Sequence, residues 1–189
     1  MFGKMLYDKL VEESRKWRRE EEENDHVVAV KKLVFCWKRY ESRKPEDLFK
    51  EPRVVIGTLV HRGIEYYFGQ PDSPENVIKK EIEVDGEVWT VAGIPDYVDD
   101  EKVYEFKFTT SPPDKPRPHD ELQLKIYMWL TGKSKGELVY ISPVGIKCFE
   151  VNHGVTDDGV RGLIRNRWAK WKWECYTCPF RHECKYRRW

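Results

Sequence analysis

Apolar positions recur with helical spacing at both ends of this chain and with strand spacing in its middle. Lys4 to Glu22 and Val28 to Tyr40 read as helices. Val54 to Phe68 reads as a third, with apolar positions at Ile56, Leu59, Val60, Ile64, Tyr67 and Phe68. A polar connection from Ser42 to Pro52 precedes it, and a loop with Pro71 and Pro74 follows. Three segments rich in β-branched and aromatic residues, Val77–Val84, Val88–Val98 and Val103–Thr109, predict antiparallel strands. Asp85-Gly86 is a tight-hairpin signal between the first two, and Asp99-Asp100-Glu101 supplies turn chemistry between the next two. Four prolines between Ser111 and Pro118 exclude regular structure and predict a mobile loop. A short helix from Asp120 to Leu130, strands near Leu138–Ile141 and Ile146–Val151, and a helix from Asp157 to Trp173 complete the series. The order is α, βββ, α, ββ, α, a mixed α/β class.

A length of 189 residues suits one compact domain. Charge interrupts every apolar run well before membrane-spanning length, which excludes a membrane-spanning helix. The start Met1-Phe2-Gly3-Lys4 carries no signal-peptide pattern, so a cytoplasmic, reducing location is expected. Charged residues make up 35%, with two Gln, four Asn and three Met, the balance of proteins from hot environments. The net charge of +1 hides an asymmetry. Residues 161–189 hold nine Lys/Arg against Glu174 and Glu183, a net +7, which leaves −6 for residues 1–160.

Candidate chemistry centres on Gly93-Ile94-Pro95-Asp96 and Glu105-Phe106-Lys107. A regular hairpin with loop 99–102 pairs 98 with 103, 97 with 104 and 96 with 105. Asp96 and Glu105 then face each other, with Cβ atoms about 5 Å apart. Alternation adds Lys107 to that face and turns Phe106 away. Two carboxylates so close repel unless a cation lies between them, and hard oxygen donors suit Mg²⁺ or Mn²⁺. Lys107 can steady a scissile phosphate or a nucleophilic water. The plain alternative is a solvent-facing Glu–Lys pair.

Two helical pairs add to this. His61 and Glu65 lie four apart and share a face, so the imidazole can add a nitrogen ligand; a surface His–Glu contact is the alternative. Gln123 and Tyr127 are also four apart. The amide could position a phosphate or water and the ring could stack on a base or contact the nucleic-acid backbone, or the two form an ordinary amphipathic pair.

Five cysteines complete the inventory: Cys36, Cys148, Cys175, Cys178 and Cys184. Three crowd into Cys-x₂-Cys-Pro-x₄-Cys. Thiolates followed by proline, as at Cys178-Pro179, are a feature of iron–sulfur ligation. Zinc held by four cysteines is the rival, although the paired Cys-x₂-Cys spacing of zinc ribbons is absent. Cys148, in the strand Ile146–Glu150, is expected as a small core residue.

The series His61, Gly-Ile-Pro-Asp96, Glu105-x-Lys107 and Gln123-x₃-Tyr127 resembles the RecB-type branch of the PD-(D/E)XK nucleases. One early and three late cysteines bracketing it are similar to the CRISPR-associated Cas-four exonucleases and to AddB-type nuclease domains. The resemblance runs from about Val27 to Tyr186. It implies a restriction-endonuclease-like core at 53–151, a central mixed sheet flanked by helices, within a single domain 1–189. Segments 27–40 and 161–189 would form a subdomain joined by an iron–sulfur cluster on Cys36, Cys175, Cys178 and Cys184, four-iron ahead of two-iron.

It further implies Mg²⁺ or Mn²⁺ on His61, Asp96, Glu105 and the Phe106 carbonyl. Lys107 would orient or deprotonate the nucleophile, Gln123 and Tyr127 would assist, and Glu65 would hold His61. The implied substrate is single-stranded DNA, cut from 5′ ends and sometimes internally, in CRISPR spacer acquisition. The implied partners are the CRISPR integrase proteins, and a homo-oligomer is compatible. A DNA-end binding and selection module, or a structural zinc-bearing DNA-binding subunit, remain alternative readings.

The positive C-terminal segment is a candidate nucleic-acid surface: Arg165, Arg167 and Lys170 for phosphates, Trp168 and Trp171 for bases. Its alternative is a solvated helix face whose tryptophans shield the cluster. Arg15 to Arg19, followed by Glu20 to Glu23, reads as a charged helix surface ending near Asn24-Asp25.

Overall fold

The computed structural model describes residues 2–22, 24–69 and 76–188, excepting the side chains of Phe2 and of residues 16–22. The loop with Pro71 and Pro74, the side chains of the charge run from Lys16 onward and Trp189 lie outside the described residues. Helix α1 spans Phe2–Glu22. Strand β1, Val27–Ala29, runs directly into α2, Val30–Val34, followed by α3, Trp37–Ser42, and α4, Pro45–Leu48. Helix α5 covers Pro52–Phe68 and ends at Gly69 in the left-handed conformation (φ 71°), where glycine carries no Cβ penalty. Strands β2 (Ile78–Val84), β3 (Glu87–Gly93), β4 (Tyr97–Val98) and β5 (Lys102–Phe108) precede α6, Pro118–Thr131. Strands β6 (Lys135–Ser142) and β7 (Gly145–Asn152) and helices α7 (Asp157–Arg165) and α8 (Lys172–Tyr176) close the series.

The strands form two mixed sheets, ordered β1-β3-β2 and β4-β5-β6-β7, where a single central sheet was expected. β1 pairs parallel with β3 and β5 parallel with β6. The division falls at Ile94-Pro95-Asp96: Pro95 has no N–H for a ladder, so the strand expected over Val88–Val98 breaks there. Beyond the break, Tyr97 pairs with Tyr104 and Val98 with Val103, the register expected of a hairpin with loop 99–102. The Asp85-Gly86 turn also forms, with φ values of 55° and 85°.

Helix α6 belongs to the core shared by both sheets. Leu124, Ile126, Tyr127, Met128, Trp129 and Leu130 are all buried, and a helix apolar around most of its circumference is an interior one. Its core neighbours include Val91 and Ile82 of one sheet, Val103 and Leu138 of the other, and Leu33, Val160 and Ile164 from α2 and α7.

Four other expectations are corrected. Val28–Tyr40 is not one helix. Val27-Val28-Ala29 lies against β3, and the chain breaks again at Cys36, whose backbone is extended (φ −63°, ψ 123°). The Asp157–Trp173 helix stops at Arg165: Asn166 leaves helical geometry (ψ 80°) and the Arg167 carbonyl accepts from the Trp37 N–H, while the N–H groups of Lys170 and Trp171 donate to the Glu174 carboxylate. Cys148 is exposed, not in the core: β7 is an edge strand, and its alternate positions Phe149 and Val151 turn inward. The proline-rich segment is anchored. The Arg117 N–H donates to the Tyr140 hydroxyl at 3.0 Å and its guanidinium to Thr109 Oγ1 at 3.0 Å, while Pro118 opens α6.

Gly93 permits a close approach of neighbouring side chains. A Cβ there would lie 2.8 Å from both the Tyr127 ring and Val30 Cγ2. Gly93→Ala should therefore cost about 1–3 kcal/mol by overpacking, read as a lowered denaturant midpoint. It should also reduce cation binding, because the displaced strand end carries Asp96.

Candidate metal centre and cysteine cavity

The break after β3 lets Asp96 turn its carboxylate back onto β5, where Oδ2 accepts from the Phe106 N–H at 2.6 Å. Helix α5 brings His61 to the same place. His61 Nδ1 lies 3.3 Å from Asp96 Oδ1 and 3.5 Å from Glu65 Oε1. Nε2 lies 2.7 Å from the Phe106 carbonyl, an arrangement in which Nε2–H donates and Nδ1 is left for the carboxylates. Among the described residues, the one group of three or more His, Cys, Asp or Glu with ligand atoms within 4.8 Å of one another is His61, Glu65 and Asp96.

Glu105 is 1% exposed and divides its oxygens. Oε1 accepts from Lys107 Nζ at 2.5 Å, while Oε2 is buried with no hydrogen-bond partner. A buried carboxylate oxygen without a donor is costly. Burial, and then the nearby Glu105 charge, push the Asp96 carboxyl up to about 7. For His61, burial alone would favour the neutral ring, but Asp96 first, then Glu65 and Glu105, raise it to about 8. These are the marks of excess negative charge in a dry site, and the donors are hard oxygens plus one imidazole. That set fits Mg²⁺ or Mn²⁺.

Lys107 also donates to Gln123 Oε1 at 3.0 Å and lies 4.0 Å from Asp120 Oδ1. Burial opposes its charge, yet Glu105, Asp120 and Asp96 outweigh burial and raise its pKa, so it is held as an ammonium. That state allows Lys107 to orient a phosphate or water. Tyr127 is 4% exposed and packs against Gly93, which leaves no open ring face for the expected base stacking.

Asp120 was not singled out from the sequence, where it reads as an ordinary acid in the first turn of α6. It is 6% exposed, accepts from the Tyr140 hydroxyl at 2.8 Å and faces His119 Nε2 at 3.6 Å.

Cys36, Cys175, Cys178 and Cys184 line one small cavity together with Trp168 and Glu174. Burial, opposed by backbone hydrogen bonds and reinforced by Glu174, raises the Cys36 thiol pKa. Glu174 is the second functional residue the sequence reading passed over. At 1% exposure, Oε1 accepts from the Cys36 N–H at 2.7 Å, and Oε2 from the N–H groups of Lys170 and Trp171 at 2.9 and 3.2 Å. One carboxylate thus ties the early cysteine to the late ones.

Residues of the expected nucleic-acid surface also make contacts within the chain, with Arg165 and Arg167 remaining exposed. Arg165 makes a forked contact to Asp85, with its shortest bond 2.7 Å. The Arg167 guanidinium lies over the rings of Trp37 (4.6 Å) and Trp89 (5.2 Å). Lys170 donates to the carbonyls of Asn166 and Phe35, and burial lowers its pKa to about 8. Trp171 donates to the Val34 carbonyl at 3.0 Å, and Trp168 stacks on Tyr186 with centroids 3.5 Å apart. The contacts of Lys170, Trp168 and Trp171 are of the kind the shielding alternative describes.

A mixed α/β protein with a buried His–Asp–Glu centre beside an ammonium, and a separate four-cysteine cavity, is the class defined by these features. No protein-family model matches the chain. A CRISPR-associated exonuclease Cas4 from Saccharolobus solfataricus is 30% identical, over 97% of this chain and 98% of its own length. The chain belongs to the Cas4 family. The crystal structure of SSO0001 superposes with a TM-score of 0.79 at 26% identity, covering 99% of this chain and 98% of that one. An alkaline exonuclease from Laribacter hongkongensis gives a TM-score of 0.42 at 14% identity, over 74% of this chain and 83% of its own. Among the described residues, no helix is long and apolar enough to cross a membrane.

Proposed function

We propose that this chain is a divalent-cation-dependent deoxyribonuclease that degrades single-stranded DNA from 5′ ends in CRISPR spacer acquisition, alongside the CRISPR integrase proteins. The observation that carries the hydrolytic reading is the buried acidic centre with its unpartnered Glu105 Oε2. His61, Asp96 and Glu105 would hold Mg²⁺ or Mn²⁺, with Glu65 close enough to Nδ1 to orient the ring or share the ion. The chemistry supplied by a bound cation is polarisation of a phosphoryl oxygen and acidification of a water. Lys107, fixed between Glu105 and Gln123, presents its ammonium to the developing negative charge. Strand polarity and the acquisition role rest on family membership.

A labelled single strand should stay intact in EDTA and be cut on adding Mg²⁺ or Mn²⁺. Comparing 5′- and 3′-labelled substrates reads the polarity. Intact DNA in both metals would refute the hydrolytic reading and leave end binding.

The four-cysteine cavity is proposed to hold an iron–sulfur cluster joining segments 27–40 and 161–189 across the 53–151 core. The reading is supported by the four cysteines lining one cavity, and tetrahedral zinc is its rival. Protein purified without air should be brown. Cys36→Ser, Cys175→Ser, Cys178→Ser or Cys184→Ser should bleach it, while exposed Cys148→Ser should not. Colourless protein with one zinc per chain would overturn the assignment.

A further inference from the structure

Helix α5 carries more than metal ligands. Residues 61, 65 and 68 lie on one stripe of a helix, so Phe68 continues the face of His61 and Glu65 by one turn. Phe68 is 51% exposed and Tyr67 is 83% exposed. These rings belong to a ladder. Tyr67 meets Phe68 edge-on at 5.5 Å, and Phe68 meets Tyr97 of β4 at 5.1 Å. Phe68 is also nearly parallel to Phe106 (10°, centroids 6.5 Å apart), the residue whose carbonyl contacts His61. The ladder therefore starts at the metal centre and leads outward. Its far end is closed to a polyanion, because the next ring, Tyr104, donates its hydroxyl to Asp99 in an acidic turn.

We propose that Tyr67 and Phe68, backed by Tyr97, form a base-stacking platform that positions the unpaired nucleotide next to the scissile phosphate. The inference rests on the nuclease reading above and assigns to that site residues which neither motif nor metal ligation singles out. Aromatic faces accept any base but only an unstacked one, since a duplex hides its base faces. The platform thus discriminates single strands from duplex at the position where cleavage occurs. A nucleobase is the occupant favoured over a protein partner because Phe68 continues the α5 face that carries His61 and Glu65 and packs on Phe106, whose carbonyl contacts His61.

The test compares oligo-dT with an abasic oligonucleotide of equal length, by anisotropy in Ca²⁺ and by steady-state cleavage in Mn²⁺. Wild-type protein should bind oligo-dT about tenfold or more tightly than the abasic strand, in line with stacking energies per base. Tyr67→Ala/Phe68→Ala should bring the two within about twofold and raise KM for oligo-dT. Phe68→Trp should retain the preference. Because Tyr67 is so exposed, Tyr67→Ala alone keeps the fold and should give a partial loss. An unchanged base preference in the double variant overturns the platform. So does an unchanged preference with an altered sedimentation coefficient, which would assign the rings to a second copy of the chain. Base preference that depends on the rings, in a wild-type protein that cuts nothing, would sink the nuclease reading and leave the platform standing.

Discussion

Asp96→Asn should reduce cation-dependent cleavage by about a thousandfold or more while leaving the protein folded. Losing an anionic ligand weakens binding of the ion and the stabilisation of charge at the phosphate, and several kcal/mol of such stabilisation correspond to about three decades in rate. The fold should survive because the asparagine amide oxygen can still accept the Phe106 N–H bond made by Oδ2. In EDTA the variant should be as stable as the wild type or more so, since the substitution removes one of two buried, mutually repelling carboxylates. Adding Mn²⁺ should raise the melting temperature of wild-type protein but not of the variant. Wild-type cleavage rates in Asp96→Asn would rule out this metal centre, and a collapse of stability in EDTA would show that the carboxylate is structural.

Glu174→Ala should be the most disruptive single substitution outside the metal centre. It strands the N–H groups of Cys36, Lys170 and Trp171 and opens a void beside the cysteines. Removing one partner from buried charge-assisted bonds costs about 3–5 kcal/mol. The expected result is a melting temperature lowered by several degrees or more and loss of the visible chromophore, although all four cysteines remain. Glu174→Gln should recover part of the loss, having one acceptor oxygen in place of two. A variant that keeps both colour and melting temperature would show that the cysteine segments hold together without this carboxylate.

Much of the site was legible because it depends on short-range geometry. The hairpin register that joins β4 to β5 follows from a four-residue turn, and the His61–Glu65 pair follows from helical spacing. Where the reading failed, long-range partners overrode local pattern. The valines before α2 follow helical periodicity equally well, but β3 offers them an open parallel edge. The basic C-terminal segment, by contrast, stands as a candidate nucleic-acid surface; Arg165 and Arg167 are exposed, and composition gives no sign that they also meet Asp85, Trp37 and Trp89. Cys148 follows the strand pattern of a core residue, and only its place on an edge strand turns it outward.

By itself, the sequence determined the mixed α/β class, the positions of the hairpins and the candidate His61, Asp96, Glu105 and Lys107 group, because turn chemistry, periodicity and residue type act over a few positions. Tertiary structure alone decided that two sheets share α6, that Glu105 keeps an unpartnered oxygen and that Lys107 lies between Glu105 and Gln123. It also decided that Glu174 links the first cysteine to the last three. Those outcomes depend on burial and on partners up to 138 residues apart in the chain, and no local pattern encodes the dielectric surroundings or the donors that a folded interior supplies.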